Sequence, residues 1–280
     1  MVASPKMRED KNKSEQPIGV FDSGIGGLTV AHAIIKKLPK ERLVYFGDTA
    51  HLPYGDKSPD SVKYYSIRIA QFLMEQGCKM IVIACNTASA LAYETVKDFV
   101  GGRIPVVDVV NPMVKEVGAN KSLKKVGVIA TKATVKSEIY ARRLKEIRSN
   151  LEIASVPAPL LVSMIEEGFF NNKTSRTIIQ EYLSRPKLKK IDALILACTH
   201  YPLIRPEVEE YYKGKVLIYD NSEVVARQVK DILLKSKMLA TSRRGLRHFF
   251  YMSDYTKSFE ESAKYFFKSK IKLKKADIWK

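Results

Sequence analysis

The chain has 280 residues, 45% of them hydrophobic, which is enough for one large domain or two smaller ones with separate cores. Its 48 Lys and Arg against 30 Asp and Glu give a formal net charge of +18. No apolar run approaches the roughly 20 residues that span a bilayer, and residues 1–15 are too polar for a signal peptide, so the sequence predicts neither. We expect residues 1–15 to be a disordered basic arm.

The charge and the cysteines narrow the class of protein further. A large positive charge attracts anionic small molecules and, non-specifically, nucleic acid. Because no motif of a dedicated nucleic-acid-binding domain occurs in the sequence, we expect nucleic-acid contact only as a secondary, charge-driven effect. Three cysteines without regular spacing argue against a disulfide framework and predict a reducing, cytoplasmic location.

Short apolar runs alternate with longer amphipathic stretches along the chain. The predicted strands are Ile18–Phe21, Leu43–Gly47, Met80–Ala84, Val106–Val107, Lys125–Ala130, Leu151–Ser155, Ala193–Ala197 and Val216–Asp220. The predicted helices are Leu28–Leu38, Val62–Gln76, Thr87–Phe99, Thr134–Ile147, Thr174–Leu183 and Ser222–Leu234. This alternation is typical of βαβ units in parallel sheets, whose strands are covered on both faces and are therefore continuously apolar. We interpret N-P-M-V at 111–114 as a crossover into a second domain.

Two similar segments each carry a cysteine. I-V-I-A-C-N-T occupies residues 81–87 and L-I-L-A-C-T-H residues 194–200, each an apolar run followed by Ala, Cys and polar side chains. The match predicts two similar α/β domains with mostly parallel sheets: residues 16–109 plus 222–280 with Cys85, and residues 110–221 with Cys198. Ligands of such sheets bind beyond the carboxyl ends of the strands, so the two thiols should line opposite walls of one cleft between the domains.

The glycine-rich stretch F-D-S-G-I-G-G-L-T-V at 21–30 invites a nucleotide-binding interpretation, which fails. Thr29 occupies the third glycine position of the dinucleotide fingerprint, and the phosphate-loop pattern is also missing. What remains is a tight turn that exposes Asp22 and Ser23, either as functional groups or as ordinary helix caps. In the polar loop at 45–56, Tyr54 and Gly55 belong to a turn that presents backbone N–H groups.

Two other chemistries remain open on the residues alone. Cys85, Cys198, His200 and Asp22 could be zinc ligands, although no paired C-x-x-C or H-x-x-x-H occurs. A redox dithiol would also be expected to carry C-x-x-C. His200, two residues after Cys198, is otherwise a candidate partner of that thiol. Glu166 and Glu167 would ordinarily be interpreted as an exposed helix end.

Four segments together resemble the glutamate racemase family: D-S-G-I-G-G-L-T-V, G-D-T-A-H-L-P-Y-G, A-C-N-T-A-S and A-C-T-H-Y-P, in this order. The resemblance covers nearly all of residues 16–280. It implies a cofactor-independent amino-acid racemase with two α/β domains, the active site between them, glutamate as substrate and a role in supplying D-glutamate for the bacterial cell wall. We also expect a homodimer.

The resemblance also implies the roles of individual residues. Cys85 and Cys198 would be the two acid–base groups, assisted by Asp22, His200 and Glu166. The implied substrate contacts are Asp22, Ser23, Tyr54, Gly55, Asn86, Thr87, Thr199 and His200, and no metal is expected. The chain departs from the family where His51 replaces a common Arg, Ser163 a common Pro, and D-N-S-E at 220–223 a more glycine-containing stretch.

Such a mechanism explains why two cysteines share one local setting. Inverting a carbon centre needs a base on one face and an acid on the other, so two equivalent groups must oppose each other across the substrate. A thiolate is a usable base because its pKa, ordinarily about 8.5, can be tuned. A racemase for aspartate, with the same mechanism and a different side-chain pocket, is the closest alternative.

Overall fold

The computed structural model describes residues 13–242 and 246–279. Most of the predicted basic arm lies outside the described residues, and its end, Lys13–Glu15, forms a single 3-10 turn. None of the helices in the described ranges is long and apolar enough to cross a membrane.

Ten strands and eleven α-helices make up the described part of the chain. The strands are β1 (Ile18–Asp22), β2 (Leu43–Gly47), β3 (Met80–Ile83), β4 (Val106–Asp108), β5 (Lys125–Ala130), β6 (Glu152–Pro157), β7 (Ala193–Ala197), β8 (Leu217–Asp220), β9 (Phe249–Met252) and β10 (Leu273–Lys275). The helices are α1 (Leu28–Lys37), α2 (Pro59–Glu75), α3 (Asn86–Val100), α4 (Val110–Ala119), α5 (Lys132–Lys136), α6 (Ile139–Ile147), α7 (Leu160–Glu166), α8 (Lys173–Leu183), α9 (Arg205–Tyr212), α10 (Asn221–Lys235) and α11 (Lys257–Phe267).

The strands form two parallel sheets, as the sequence predicts. One sheet has six strands in the order β10-β9-β2-β1-β3-β4, and the other has four in the order β6-β5-β7-β8. All of the strand pairs are parallel. The central strands β1, β2, β3 and β7 are buried along their whole length, which explains their uninterrupted apolar sequences.

The two sheets share one strand order. The segment β2-β1-β3-β4 of the larger sheet matches β6-β5-β7-β8 of the smaller one, so β3 and β7 occupy equivalent places. The strand order reverses between β1 and β3 in the larger sheet and between β5 and β7 in the smaller one. Open α/β sheets bind ligands at such a reversal point. Cys85 follows β3 and Cys198 follows β7, so both cysteines lie at these reversal points. Strands β9 and β10, at 249–275, extend the larger sheet, while the exact domain boundaries stay a prediction.

The predicted helix Thr134–Ile147 is wrong in one respect, because the structure breaks it in two. Helix α5 ends at Lys136 and α6 begins at Ile139, with Glu138 between them in the left-handed region at φ 54°. Neither glycine nor proline marks this break in the sequence, and a glutamate at positive φ carries no pattern that would predict it.

The stretch at 111–114, which we interpreted as a crossover, lies instead inside helix α4. Pro112 is the third residue of this helix, where its missing N–H would have had no partner within the helix. Six elements of the structure are absent from the prediction: helices α4, α7, α9 and α11 and strands β9 and β10. Helix α11 packs on α1, and α10 packs on both α1 and α4.

Candidate active site

Cys85 caps the first turn of a helix. It is the N-cap residue of α3, and its Sγ accepts a hydrogen bond from the backbone N–H of Ala88 at 3.4 Å. The thiol also donates to Oγ of Ser23 at 3.6 Å. Burial, reinforced by the nearby Asp22 carboxylate, raises the pKa of the Cys85 thiol to about 12. At neutral pH Cys85 is therefore a neutral thiol.

Cys198 has a charged partner instead. The residues after it form a 3-10 turn, Tyr201–Ile204, which leads directly into helix α9. Its Sγ lies 3.7 Å from Nδ1 of His200, and Nε2 of His200 lies 2.8 Å from Oε1 of Glu166. Glu166 is partly buried, whereas its neighbour Glu167 is exposed. Glu166, and not Glu167, therefore belongs to this site.

His200 is held in its charged form. Burial by itself would lower the pKa of His200, but the hydrogen bonds with Cys198 and Glu166 outweigh it and raise this pKa to about 10. Both ring nitrogens then carry protons at neutral pH, one directed at Sγ of Cys198 and the other at Glu166. A positive charge beside a cysteine sulfur is the arrangement that activates cysteine in other enzymes.

Asp22 joins the two halves of the site. Its side chain is completely buried, and Oδ2 accepts hydrogen bonds from the backbone N–H groups of Gly24 at 3.2 Å and Gly27 at 3.0 Å. Its Oδ1 accepts from the Thr199 hydroxyl at 3.4 Å. Burial raises the pKa of Asp22 above its usual value. Since Asp22 ends β1 and Thr199 follows β7, this bond connects the carboxyl ends of the two sheets.

The glycine-rich turn after β1 lets the two halves approach each other closely. A Cβ atom at Gly26 would lie 2.5 Å from Nδ1 of His200 and 2.6 Å from Oγ1 of Thr199, distances that no real side chain tolerates. The hydroxyl of Thr29, in the first turn of α1, donates to the backbone oxygen of Thr199 at 3.1 Å. The turn therefore holds the Cys198 side of the site in place.

The polar pair after Cys85 is held from the opposite sheet. Oγ1 of Thr87 lies 2.9 Å from Oγ1 of Thr131, which follows β5, and 3.3 Å from Oγ1 of Thr134. Oδ1 of Asn86 accepts hydrogen bonds from the Tyr140 hydroxyl at 2.7 Å and from Nδ2 of Asn221. Nδ2 of Asn86 is buried and has no hydrogen-bond partner among the described residues, so it is a donor left for a ligand.

The loop after β2 supplies the last predicted contacts. The hydroxyl of Tyr54 donates to Oδ2 of Asp48 at 2.6 Å, and Tyr54 is fully buried. A Cβ atom on Gly55 would lie 2.9 Å from Cβ of Thr131, so the loop reaches across to the smaller sheet. Tyr54 and Gly55 thereby lie beside the threonines that hold Thr87.

Sequence reasoning missed the residues that hold the others in place. These are Thr29, Asp48, Thr131, Thr134, Tyr140 and Asn221. Thr131 follows a buried strand, as Asn86 and Thr199 nearly do, so its position was a usable signal. The zinc alternative receives no support, because the described residues contain no group of three or more His, Cys, Asp or Glu side chains that could hold a metal ion.

Comparisons with known proteins give the family and support the fold. The model of the family Asp/Glu/Hydantoin racemase matches residues 18–229. A glutamate racemase of Geobacter metallireducens is 43% identical over 234 residues, which are 83% of this chain and 86% of the relative.

Solved structures are similar over almost the whole chain. A glutamate racemase of Francisella tularensis in complex with D-glutamate superposes with a TM-score of 0.89 at 38% identity, covering 95% of this chain and 99% of that one. A glutamate racemase of Thermus thermophilus in complex with β-chloro-D-alanine gives 0.84 at 35% identity, covering 95% and 98%. The family model and the relatives extend over most of the chain, and two cysteines lie at equivalent ends of two like sheets. The chain therefore belongs to the Asp/Glu/Hydantoin racemase family and is an amino-acid racemase.

Proposed function

We propose that this protein interconverts L- and D-glutamate without a cofactor, using Cys85 and Cys198 as the two acid–base groups. The observation that carries the proposal is the equivalence of the two thiols, each at the reversal point of a sheet with one strand order. A base on one face of the substrate and an acid on the other are the minimum that inversion at Cα requires.

The surroundings of the thiols support a definite order of proton transfers. Cys198, beside the charged His200, removes the Cα proton of one enantiomer, and the neutral thiol of Cys85 donates a proton to the opposite face. The roles exchange for the other enantiomer. By analogy with the family, Cys198 deprotonates L-glutamate and Cys85 deprotonates D-glutamate.

The donors around the site suit a substrate with two carboxylates. Thr87, Ser23 and Nδ2 of Asn86 on one side, Thr199 on the other, and the backbone N–H groups at the start of α3 can bind carboxylate oxygens and the charge that develops on them in the transition state. Asp22 would contact the substrate ammonium group, and His200 would be the partner of Cys198. Glutamate rather than aspartate is favoured by relatives named as glutamate racemases, one of them bound to D-glutamate.

A chiral assay tests the proposal directly. Purified protein, with no pyridoxal phosphate and with a chelator present, is expected to racemise L-glutamate and D-glutamate and to leave L-aspartate almost unchanged. Iodoacetate should abolish the activity by alkylating the thiols. Activity that requires added metal or pyridoxal phosphate would contradict the mechanism, and faster turnover of aspartate would contradict the substrate.

We also propose the wider context that the resemblance implies. D-glutamate made by this enzyme would enter peptidoglycan synthesis, and the chain would form a homodimer. The proposal uses the predicted division into two domains. Residues 16–109 and 222–280 form the first, and residues 110–221 form the second. Sedimentation of the purified protein tests the dimer, because a single species of monomer mass would contradict it.

A further inference from the structure

A buried carboxylate holds the loop that carries Tyr54 and Gly55. Asp48, at the start of this loop, is completely buried and accepts three hydrogen bonds. They come from the hydroxyl of Tyr54 at 2.6 Å, from the hydroxyl of Ser253 at 2.7 Å, and from Nδ1 of His51 at 2.9 Å. Since Asp48 bonds to two residues of its own loop and to one beyond β9, it fixes the shape of the loop and its place on the larger sheet.

An aromatic cluster covers the outer face of His51. The imidazole stacks on the ring of Tyr65 with centroids 4.1 Å apart, and the edge of its ring system meets Trp279 at 4.6 Å. Trp279 also contacts Tyr65 at 5.5 Å. The three rings do not lie in one plane, because Trp279 meets both the stacked imidazole and Tyr65 nearly at right angles.

Trp279 is brought to the loop by residues 276–279, which leave β10 and cross helix α2. The backbone N–H of Ala276 donates to the carbonyl oxygen of Met252 at 2.9 Å, and the guanidinium group of Arg68 donates to the carbonyl oxygen of Ile278. The indole N–H of Trp279 is buried and has no hydrogen-bond partner among the described residues. Ring packing on His51 and Tyr65 therefore holds this side chain.

The inner face of the same loop contacts Thr131, the residue that holds the predicted substrate contact Thr87. Gly55 lies against Thr131, where an added Cβ would come within 2.9 Å, and Oγ1 of Thr131 lies 2.9 Å from Oγ1 of Thr87. A continuous series of contacts therefore leads from Trp279 through His51, Asp48 and Tyr54 to Thr87. Displacement of the outer end would shift the backbone N–H groups that the loop presents to the substrate.

We propose that Trp279 is a positioning residue of the active site, which fixes the loop of residues 48–56 by packing on His51. The inference rests on the proposed function in one respect, namely that Tyr54, Gly55 and Thr87 contact the substrate. Trp279 itself touches neither substrate nor cysteine, and it acts through the shape of the loop.

Kinetics of two substitutions at one position test the proposal. Trp279→Ala removes the ring and is expected to raise KM for glutamate about fivefold, because small displacements of positioning groups are costly. Trp279→Phe keeps a ring on His51 and should restore KM to within about twofold of the wild-type value. A merely structural loss would reduce the folded, active fraction, which lowers kcat and leaves KM unchanged. Tyr211→Ala is the matched control, because it removes another half-buried ring, in edge contact with Tyr212 at 4.9 Å, on helix α9, which packs on α8 and β8.

The chain contains a single tryptophan, so intrinsic tryptophan emission reports on Trp279 alone. The emission maximum of Tyr211→Ala is expected to equal that of the wild-type protein, because the control leaves the packing of Trp279 intact. Wild-type KM in Trp279→Ala would overturn the positioning role. Absence of racemisation by the wild-type protein would instead refute the proposed function, so the two failures are distinguishable.

Discussion

The two walls of the site occupy equivalent places in two like sheets and yet have different chemistry. The Cys85 wall has a neutral thiol, with a pKa raised to about 12, bonded to a backbone N–H and to Ser23. The Cys198 wall has a thiol beside a charged imidazole, whose pKa is raised to about 10. The fold repeats, but the groups next to the sulfur do not. A repeated architecture therefore supplies the opposed geometry, and the two sulfurs differ in the groups that lie next to them.

The difference between the walls cannot appear in every kinetic constant. L- and D-glutamate have equal free energies, so the ratio of kcat/KM in the two directions equals the equilibrium constant, which is one at every pH. Asymmetry can appear only in kcat and KM taken separately, or in a reaction that uses one thiol alone. The most informative experiments on the comparison are therefore half-reactions of single variants.

The largest effect is expected from replacing either cysteine by serine, whose hydroxyl is far too weak an acid to replace a thiolate. Cys85→Ser and Cys198→Ser should each lose racemisation by at least about 10³-fold, since every turnover needs both groups. With a glutamate analogue that carries a leaving group on Cβ, elimination needs only the first proton abstraction. Cys85→Ser should then retain elimination from the L-form, and Cys198→Ser from the D-form.

These variants test the opposition of the walls as well as the identity of the bases. Racemisation at the wild-type rate in either variant would refute the two-thiol mechanism. Elimination from the same enantiomer in both variants would show that the thiols do not face each other across the substrate. Cys78→Ser is the matched control, because Cys78 is a buried free thiol that precedes β3, whereas Cys85 follows the other end of this strand.

The next largest effect is expected at His200, which distinguishes the two walls most clearly. His200→Asn keeps a hydrogen-bonding side chain but removes the positive charge beside Cys198. We expect kcat/KM to fall about 10²-fold, within the range found for acid–base groups. His248→Asn, at a half-buried histidine outside the site, is the control. Equal activity of both variants would show that the charge on His200 is not used.

The raised pKa of His200 also predicts how the free energy of unfolding changes with pH. Its pKa is raised from the model-peptide value of 6.5 to about 10 in the folded protein, so the folded state binds this proton more tightly than the unfolded state. The resulting stabilisation is fully present below pH 6.5 and is lost as the pH rises through about 10. Denaturant unfolding should therefore show the wild-type protein losing stability relative to His200→Asn across this interval. A constant difference between the two would contradict the raised pKa.

The buried strands and the edge of the sheets where the site lies were predictable from the sequence. Strands buried on both faces read as unbroken apolar runs, and polar residues at their carboxyl ends predicted where the site would lie. The local sequence does not predict the break at Glu138, because glutamate has no preference for positive φ. It also misled at Pro112, since a proline in a first helical turn looks the same in sequence as one in a loop.

The contacts across the site were beyond the reach of pattern for a different reason. Thr131, Tyr140 and Asn221 matter because the two sheets face each other with their carboxyl ends together, and no single element encodes that orientation. Asp48 lay within a segment that the resemblance used, yet its role depends on Ser253 and His51 meeting it in the folded chain. Sequence identifies groups that can react more readily than the groups that hold them.

An intermediate effect is expected at Thr87, which we propose as a carboxylate donor on the Cys85 wall. Thr131 and Thr134 hold its hydroxyl. Thr87→Ala should lower kcat/KM about tenfold, which corresponds to about 1.4 kcal/mol of transition-state stabilisation. Thr177→Ala is the control, because Thr177 is an exposed threonine whose hydroxyl donates only to a backbone oxygen of its own helix. Wild-type kinetics in Thr87→Ala would remove this residue from the site.

The smallest effect is expected where a wall is held by more than one bond. Oδ1 of Asn86 accepts from both Tyr140 and Asn221, so Tyr140→Phe removes one donor and leaves the other. A single neutral hydrogen bond contributes about 1 kcal/mol, and with the second bond intact we expect kcat/KM to fall only about threefold. Thr29→Val makes the same test on the Cys198 wall, where the Thr29 hydroxyl donates to the backbone oxygen of Thr199.

Combining Tyr140→Phe with Asn221→Ala sharpens this last test. The double variant leaves the Asn86 oxygen buried without a donor, which costs more than the two single losses together because an unsatisfied buried group bears its full desolvation penalty. The loss in kcat/KM should therefore exceed the product of the single effects. Multiplicative effects would mean that Tyr140 and Asn221 act independently of each other, which would contradict their joint hold on the Asn86 oxygen.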